Sequence, residues 1–331
     1  MRVLIIGGTG LISTGIVKHL LMRGVDVTVF NRGHRERAIS PQVKQLHGDR
    51  SDVNALKAAG AFDVVIDMIC FTPQQAQLSF DAFAGRCAHF IFCSTVCTYG
   101  VKMPSTVFVD ETFPQEPISE YGKNKLSCEK MFLDAHAAKK INLTIIRPSY
   151  TYGPGGNLID NVEFDPVSWD RIERGSPVLC SGDGLGMWVA THRDDCGKLF
   201  AYAAMNPKTF GQSYNATRDR HFTWRDLYRE TATVLGKPAR LLFMPAAWIA
   251  RHDPKRFNLL REITQFHGAY SSAKARRDVP EYICEIDYPT GAVETIADIR
   301  RRGKWRSNEG DVLYEGMVDG ALELGIEPVE A

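Results

Sequence analysis

Two kinds of hydrophobic pattern alternate along the first half of this chain: short continuous apolar runs, and runs with helical spacing. Arg2–Ile6 is a continuous run, and the apolar positions from Ile12 to Arg23 recur every three or four residues. Val27–Phe30 is a second continuous run. Strand, glycine-rich turn, helix and strand, in this order, open a parallel nucleotide-binding sheet.

The alternation continues to about residue 150 and predicts four further strands. The third strand ends at Gly48-Asp49-Arg50, and the last is preceded by a helix that contains Tyr121. The other predicted elements are strands at Phe62–Met68, His89–Ser94 and Asn142–Arg147 and a helix at Pro73–Phe83. Strands and helices that alternate in this way predict an α/β fold with a doubly wound parallel sheet, Rossmann-like in its order.

Beyond Gly153 the pattern is less regular, and we expect a smaller α+β lobe built from C-terminal insertions. Its predicted elements are helices at Trp169–Arg174, Asp194–Met205, Phe222–Leu235, Ser272–Asp278 and Glu294–Arg302 and strands at Pro177–Leu179 and Met187–Thr191. We assign residues 1–153 plus about 188–215 to a dinucleotide-binding domain, and residues 154–187 plus 216–331 to a substrate-binding lobe.

The composition is that of a globular protein with little net charge. Of 331 residues, 44% are hydrophobic and 24% are charged, and the formal net charge of +1 gives no global attraction to nucleic acid. Eight scattered cysteines without a Cys-x-x-Cys pair predict neither a disulfide framework nor a metal site. The apolar start is short and broken by glycines, and no apolar stretch reaches about 18 residues, so we expect a cytoplasmic protein without a signal peptide.

The segment GGTGLIS, directly after the first strand, predicts a pyrophosphate site. Gly7 and Gly10 let the backbone turn tightly and approach a ligand. The N–H groups at the start of the next helix, at Leu11 and Ile12, attract negative charge. The segment therefore supplies four candidate cofactor residues.

The ends of the second and third strands carry residues suited to an adenosine. Asn31 stands where NAD enzymes usually place an acid on the ribose, and it does not repel a 2′-phosphate. Arg32, with Arg35 and Arg37 behind it, could pair with that phosphate, which favours NADP; a solvated basic loop is the alternative. The third strand ends in two more cofactor candidates, Asp49, which is placed to accept the adenine amino group, and Arg50.

Two residues of the helix EYGKNKLSCEKMFLDAHAAKK carry the candidate chemistry. Tyr121 and Lys125 are four residues apart, so a helix places both side chains on one face. A free tyrosine has a pKa of about 10, and a neighbouring ammonium lowers that pKa by favouring the phenolate. The pair could then take a proton from a sugar hydroxyl while hydride leaves for a nicotinamide ring. The alternative is an exposed polar helix face.

Six segments, in this order and spacing, resemble those of the extended short-chain dehydrogenase/reductases: GGTGLIS, GDRSD, STVCTYG, YGKNK, RPSYTYGP and GDG…THRDD. The most similar branch is the NAD-dependent epimerase/dehydratases of sugars and nucleotide sugars. The resemblance runs from Met1 to about Asn215, and SSAKARRD (271–278) is similar to the family's C-terminal lobe. It implies a cofactor lobe, a smaller substrate lobe and usually a homodimer.

The resemblance also implies roles for individual residues. Thr95 would hydrogen-bond the substrate oxygen while Tyr121 moves its proton, and Lys125 would grip the nicotinamide ribose and tune the tyrosine. Ser94 is the less favoured hydroxyl. Cys97 stands where GDP-sugar 3,5-epimerases carry a cysteine that exchanges the proton beside the transient ketone; a small buried hydrophobic side chain is the alternative.

Four further residues are candidates for substrate binding. Glu163 and Asp165 lie where a partner acid for Cys97 might come from. Tyr150 and Trp188 replace the asparagine and the arginine with which UDP-sugar epimerases hold a diphosphate, and this counts against a UDP-sugar. The two aromatic side chains could stack on a base or a sugar face, or fill the core.

Three functions follow from these patterns, and we favour the first. It is an epimerase of a sugar or nucleotide-linked sugar that oxidises a carbinol transiently with NAD. The second is a net reductase or dehydrogenase of a sugar-like carbonyl with NADPH, which the arginines after Asn31 support. The third is a non-catalytic member that binds RNA or a protein through RRRGKWR (300–306). Near-neutral charge and the presence of Thr95, Tyr121 and Lys125 together argue against it.

Overall fold

Strands and helices alternate through the first half of the protein. The structure, a computed structural model, describes residues 1–33, 40–103 and 108–331. To residue 148 its elements are β1 (Arg2–Ile6), α1 (Leu11–Met22), β2 (Asp26–Asn31), β3 (Lys44–His47), α2 (Val53–Ala58), β4 (Phe62–Asp67), α3 (Pro73–Phe83), β5 (Cys87–Cys93), a 3₁₀ turn (Val96–Thr98), α4 (Glu120–Ala137) and β6 (Leu143–Pro148).

The second half contains shorter strands and longer connections. Its elements are β7 (Thr151–Tyr152), α5 (Ser168–Glu173), β8 (Val178–Ser181), β9 (Met187–Trp188), β10 (Thr191–His192), α6 (Arg193–Ala203), a 3₁₀ turn (Pro207–Thr209), β11 (Gln212–Ala216), β12 (Phe222–Thr223), α7 (Trp224–Leu235), β13 (Arg240–Met244), α8 (Ala246–Ala250), a π-helical turn (Leu260–Thr264), α9 (Ala273–Asp278), α10 (Tyr288–Arg301), α11 (Val312–Glu323) and β14 (Val329–Glu330).

A seven-stranded parallel sheet with the order β11-β6-β5-β4-β1-β2-β3 is the centre of the first half. Four of the five residues of β1 are fully buried, as expected for a strand that is covered on both faces. The strand order reverses between β1 and β4, and ligands of such sheets bind at the carboxyl ends of the strands at this point. The predicted fold class, a doubly wound Rossmann-like α/β sheet, is confirmed.

The chain divides into two compact units. The first contains residues 1–151, 191–219 and 270–285, and the second contains residues 152–190, 220–269 and 286–331. The sequence-based division placed all of 216–331 in the substrate lobe, whereas residues 270–285 belong to the first unit. They include α9, which packs beside β11, and Tyr282, whose hydroxyl donates to the Thr217 carbonyl at 3.1 Å.

The second unit has its own small sheet and core. Strand β13 pairs in parallel with β8 and antiparallel with β14. Leu179 and Leu242 from this sheet pack with Tyr314 and Met317 of α11 in a buried apolar cluster. No helix in the described parts of the chain is long and apolar enough to cross a membrane.

Candidate active site

The glycine turn after β1 packs so closely on its neighbours that Gly7 and Gly8 leave no room for a side chain. Gly7 has a φ of +86°, and a Cβ on Gly7 would lie 2.6 Å from Ile69 Cγ2. A Cβ on Gly8 would lie 2.2 Å from Val29 Cγ1. The Ser13 hydroxyl closes the turn by donating to the Gly7 carbonyl at 2.8 Å.

A cavity of about 380 Å³ opens at this turn, on the first unit. Its wall includes six of the predicted cofactor residues, namely Gly7, Gly10, Asn31, Arg32, Asp49 and Arg50. Leu11 and Ile12 do not line it: they begin α1, and Ile12 packs against the apolar core. The other lining residues, which were not predicted to bind the cofactor, include Thr9, Ser51, Phe71 and Gln75.

Buried donors without partners in this wall fit an adenosine. Asn31 Oδ1 accepts the Gly33 N–H at 2.8 Å, while Asn31 Nδ2 is buried and has no hydrogen-bond partner among the described residues. The Nε and Nη1 atoms of Arg50 are also buried without a partner there. Ribose hydroxyls and adenine ring nitrogens are acceptors, so the residues present fit the adenosine half of a dinucleotide.

Arg50 is also part of a buried ion pair. Its Nη2 donates to Asp67 Oδ2 at 2.8 Å and to the Ser79 hydroxyl at 2.7 Å, and Ser79 in turn donates to Asp67 at 2.6 Å. Asp67 is fully buried. The charge of Arg50 is therefore balanced inside the protein.

Asp49 is an exposed residue of the cavity wall. The Ser51 N–H donates to its carboxylate at 2.8 Å, and this bond lowers the pKa of Asp49, with Arg32 adding to the effect. Arg32 is exposed in the same wall. Arg35 and Arg37, which favoured NADP in the sequence, lie outside the described residues.

Helix α4 presents Tyr121 because a glycine follows it. The Ser119 hydroxyl caps the helix by accepting the Gly122 N–H at 3.1 Å. A Cβ on Gly122 would lie 2.5 Å from the Cys97 carbonyl oxygen, so the first turn of α4 packs directly on the 3₁₀ turn that follows β5. This contact brings Tyr121 beside Thr95.

Thr95 is fixed at the start of that 3₁₀ turn. It is 7% exposed, and its hydroxyl oxygen accepts the Cys97 N–H at 3.2 Å. The Thr95 side chain is close enough to the Tyr121 phenol to lower its pKa. The two predicted hydroxyl groups are therefore adjacent.

Lys125, one helical turn after Tyr121, is buried, with 1% of its surface exposed. Its ammonium donates to the Cys93 carbonyl at 2.7 Å. It also lies over three aromatic rings, 4.9 Å from the centroid of Phe71, 5.0 Å from that of Phe92 and 5.9 Å from that of Tyr121. The predicted Tyr121–Lys125 neighbourhood is present, but the ammonium faces the tyrosine ring.

The pKa of Tyr121 moves in the direction opposite to the one predicted from the motif. Although 43% of the side chain is exposed, loss of solvent around the phenol raises the pKa of Tyr121, and Cys93 and Cys97 add to the rise. The neighbouring Thr95 side chain acts the other way, and Lys125 does not offset the loss of solvent. The prediction of a lowered pKa is wrong because it considered only the helix spacing.

A buried polar network behind Thr95 was not foreseen. Glu129, fully buried on α4, accepts from Arg147 at 2.9 and 2.6 Å and from the Ser94 hydroxyl. Arg147 also donates to the Tyr99 hydroxyl at 2.7 Å. The hydroxyl of Ser94, the less favoured candidate in the sequence, is thus occupied by its hydrogen bond to Glu129.

Cys97 lies half-buried in the 3₁₀ turn, next to Thr95. Its thiol is close enough to raise the pKa values of Tyr121 and Tyr270 if it ionises. The thiol thus has two phenols as neighbours.

The remaining substrate candidates occupy separate environments. In the first unit, Tyr150 is half-buried and its carbonyl accepts the Thr191 N–H at 2.9 Å. In the second, Glu163 pairs with Arg256 at 2.8 Å, and Asp165 pairs with Arg306 at 2.6 Å near the surface. Both carboxylates are thus engaged with arginines.

Trp188 is a core residue of the second unit. It is 6% exposed, pairs with Phe222 across β9 and β12, and stacks on Trp224 with ring centroids 4.7 Å apart. A Cβ on Gly268 would lie 2.8 Å from its ring. The structure favours core packing over substrate stacking for Trp188.

Known proteins match the chain to different extents. A 2′-dehydrokanamycin reductase from Streptomyces kanamyceticus is 27% identical over 92% of this chain and 86% of its own length. The chloroplast stem-loop binding protein of 41 kDa b from Arabidopsis thaliana is 26% identical over 96% of this chain and 84% of its own length. A UDP-glucose 4-epimerase from Lactobacillus helveticus is 28% identical, but over 51% of this chain and 61% of its own length.

A solved structure and a family match complete the comparison. The UDP-glucose 4-epimerase of Thermus thermophilus, solved with NAD, has a TM-score of 0.71 at 19% identity, covering 91% of this chain and 99% of that one, which establishes the fold. Residues 3–217, more than half of the chain, match the NAD-dependent epimerase/dehydratase family. The match confirms the resemblance and the expectation of an NAD(P)-dependent enzyme, with NAD as the cofactor that the family is named for. This chain belongs to the NAD-dependent epimerase/dehydratase family.

Proposed function

We propose that the protein transfers hydride between NAD(P) and a carbinol or ketone carbon of a sugar-like substrate. The observation that carries the proposal is the arrangement of Thr95, Tyr121 and Lys125, with Phe71 in contact with Lys125 and also in the wall of the cavity. A proton-transfer group thus lies beside a space that fits a dinucleotide.

The chain's residues take complementary roles in this reaction. Bound NAD(P) would supply or accept the hydride. Thr95 and Tyr121 hydrogen-bond the reacting oxygen, and Tyr121 gives it a proton or takes one from it. Lys125 binds the nicotinamide ribose, while Gly7, Gly10, Asn31 and Asp49 hold the rest of the cofactor.

Net reduction of a ketone is the direction we favour. The pKa of Tyr121 lies above the ordinary value for a phenol, so the group is protonated at neutral pH and can donate to the oxygen of a ketone. In addition, the reductase relative matches 92% of this chain, whereas the epimerase relative matches 51%. The reductase match therefore includes more of the second unit, where we place the substrate lobe, than the epimerase match does.

Epimerisation of a sugar or nucleotide-linked sugar is the second candidate, and the family's description supports it. Transient oxidation and re-reduction from the other face would use the same Thr95 and Tyr121. Proton exchange by Cys97 would need an acid partner, and Glu163, one of the two candidates, is held by Arg256. Incubation in deuterated buffer tests this version, since exchange by Cys97 places deuterium on the α-carbon and ketone turnover alone does not.

The experiment that tests the proposed function follows absorbance at 340 nm with NADPH or NADH and a panel of keto-sugars. Stoichiometric loss of reduced cofactor with a keto-sugar indicates a reductase. In a parallel assay with NAD⁺ and the corresponding hydroxy-sugars, conversion to the epimer without net formation of NADH indicates an epimerase. Replacing the phenol in Tyr121→Phe should lower kcat by about 10²–10⁴-fold. Tyr202→Phe, a tyrosine that lies under Arg23 instead, is the matched control. Unchanged turnover in Tyr121→Phe contradicts the proposal.

Three further expectations belong to the same proposal. The resemblance implies a homodimer, which sedimentation equilibrium tests. The sequence favours the cytoplasm, which localisation of a tagged full-length chain tests. The purified protein is denatured and any released nucleotide is identified by mass spectrometry. Release of NAD indicates a cofactor that stays bound between turnovers, whereas no released nucleotide indicates a cofactor such as NADP that exchanges in each cycle.

A further inference from the structure

Phe71, a residue to which the sequence analysis gave no role, joins the cavity to the proton-transfer group. Its ring is 43% exposed and lines the cavity. The same ring lies 4.9 Å from the Lys125 ammonium and 6.5 Å from the Tyr121 ring, centroid to centroid. One side chain therefore contacts both halves of the site.

The Lys125 ammonium depends on these rings because it lacks a counter-charge. Among the residues that the structure describes, no carboxylate forms an ion pair with Lys125, although its side chain is almost fully buried. A buried cation is costly unless it is compensated. The Cys93 carbonyl and the faces of Phe71 and Phe92 supply that compensation, and cation–π attraction is strongest when water is excluded.

Local structure fixes Phe71 in this position. The Gln75 side chain accepts the Phe71 N–H at 2.7 Å. Thr72 caps α3 by accepting the Gln75 N–H at 3.3 Å, and Pro73 occupies the first turn. The start of α3 thus anchors the backbone that carries the ring.

We propose that Phe71 is a positioning residue that keeps the Lys125 ammonium dry and directed at the end of the dinucleotide cavity. Phe92, whose ring centroid lies 5.0 Å from the ammonium, is fully buried in the sheet and provides the fixed wall. Phe71 provides the exposed wall, which water would replace if the ring were removed. The inference rests on the proposed function, in which Lys125 binds the nicotinamide ribose.

The test compares Phe71→Leu and Phe71→Tyr with a matched control. Phe80→Leu is that control, since Phe80 lies on α3 with the Lys140 ammonium 5.9 Å from its ring, outside the site. Reductive methylation with formaldehyde, mapped by mass spectrometry, measures access to the Lys125 amine. Fluorescence titration with NADH and with NADPH measures cofactor binding, and circular dichroism confirms that each variant is folded.

In Phe71→Leu we expect methylation of Lys125 to accelerate and NADH affinity to fall, each by about tenfold, because the cation–π contact is lost and water enters. Phe71→Tyr, which restores the ring, should behave like the wild type in both assays. Phe80→Leu should leave Lys125 and NADH binding unchanged.

Two outcomes overturn the inference: wild-type protection of Lys125 in Phe71→Leu, whatever its NADH affinity, or equal changes in Phe80→Leu. These outcomes leave the proposed function standing as long as the wild type binds a reduced dinucleotide. A wild type that binds neither NADH nor NADPH refutes the proposed function itself.

Discussion

Asp160, in the second unit, is a carboxyl group that the fold buries completely. Its Oδ1 accepts the N–H groups of Val162 and Glu163 at 2.7 and 3.0 Å, and its Oδ2 accepts the Ser168 hydroxyl at 2.5 Å. Burial, and then the charge of Glu163, raise the pKa of Asp160 to about 7 despite these bonds. The carboxyl therefore titrates in the neutral range.

Stability should fall with rising pH at this residue. Between the ordinary pKa of 3.8 and about 7, the folded protein keeps a proton on Asp160 that the unfolded chain has released, so the free energy of unfolding decreases. Asp160→Asn mimics the protonated carboxyl and removes this effect. Thermal melts should show the Tm of the variant rising relative to wild type from pH 5 to pH 8, by roughly a few degrees. A difference in Tm that stays constant with pH contradicts this prediction.

Tyr121 and Lys125 show what the spacing of two residues can and cannot predict. Four residues on a helix place the side chains together, and the structure places them so. The pKa of the phenol depends on residues distant in sequence, such as Cys93 on β5 and Thr95, and on loss of solvent, none of which the spacing contains. The contact could be predicted, whereas the electrostatics could not.

At the scale of elements, glycines set how closely the helices of the first unit approach their neighbours. Helices α1 and α6 cross at Gly15 and Gly197, where a Cβ on Gly197 would lie 2.4 Å from the Gly15 backbone. At Gly122 the neighbour is the Cys97 carbonyl oxygen, 2.5 Å from such a Cβ. Each contact is to backbone, which cannot rotate away as a flexible side chain does.

Gly122→Ala should therefore destabilise the protein, although alanine is the better helix former. We expect a loss of about 1–3 kcal/mol in the free energy of unfolding, because α4 must move off the 3₁₀ turn. Gly316→Ala is the control, a helical glycine of α11 with nothing within 4 Å of its Cβ, and it should gain up to about 1 kcal/mol. Urea unfolding of both variants measures the sign of the change in the free energy of unfolding for each. A gain at both positions would show that α4 tolerates the methyl group.

Elements that begin and end at recognisable turn or capping residues were predicted well, whereas strands that form only by pairing with a distant strand were not. Strand β1 and helix α3 begin and end where predicted, the first at the glycine turn and the second after a capping threonine and a proline. Strand β11 was not predicted, since QSYNA has no strong β pattern and becomes a strand by pairing with β6. Helix α11 was also not predicted, and the predicted strand Met187–Thr191 is two short strands, β9 and β10.

At the scale of the whole molecule, the four arginines of the run that suggested nucleic-acid binding are ion-paired within the second unit, with three carboxylates between them. Arg300 pairs with Glu173 at 2.5 Å, Arg302 with Asp298 at 2.7 Å, and Arg306 with Asp165 at 2.6 Å. Arg301 also pairs with Asp298. The formal net charge of +1 adds no global attraction to a phosphate backbone.

RNA binding by this chain should consequently be weak, even though its plant relative is named for binding stem-loops. For a stem-loop RNA at about 150 mM salt we expect a Kd no tighter than about 10⁻⁶ M, the range of non-specific binding. The double variant Glu173→Gln, Asp165→Asn releases Arg300 and Arg306, and it should bind more tightly with a steeper dependence on salt. Filter binding between about 50 and 200 mM salt measures both constants and slopes. Nanomolar binding by the wild type, unchanged in the double variant, would mean that RNA uses another surface and that residues 300–306 do not contribute to it.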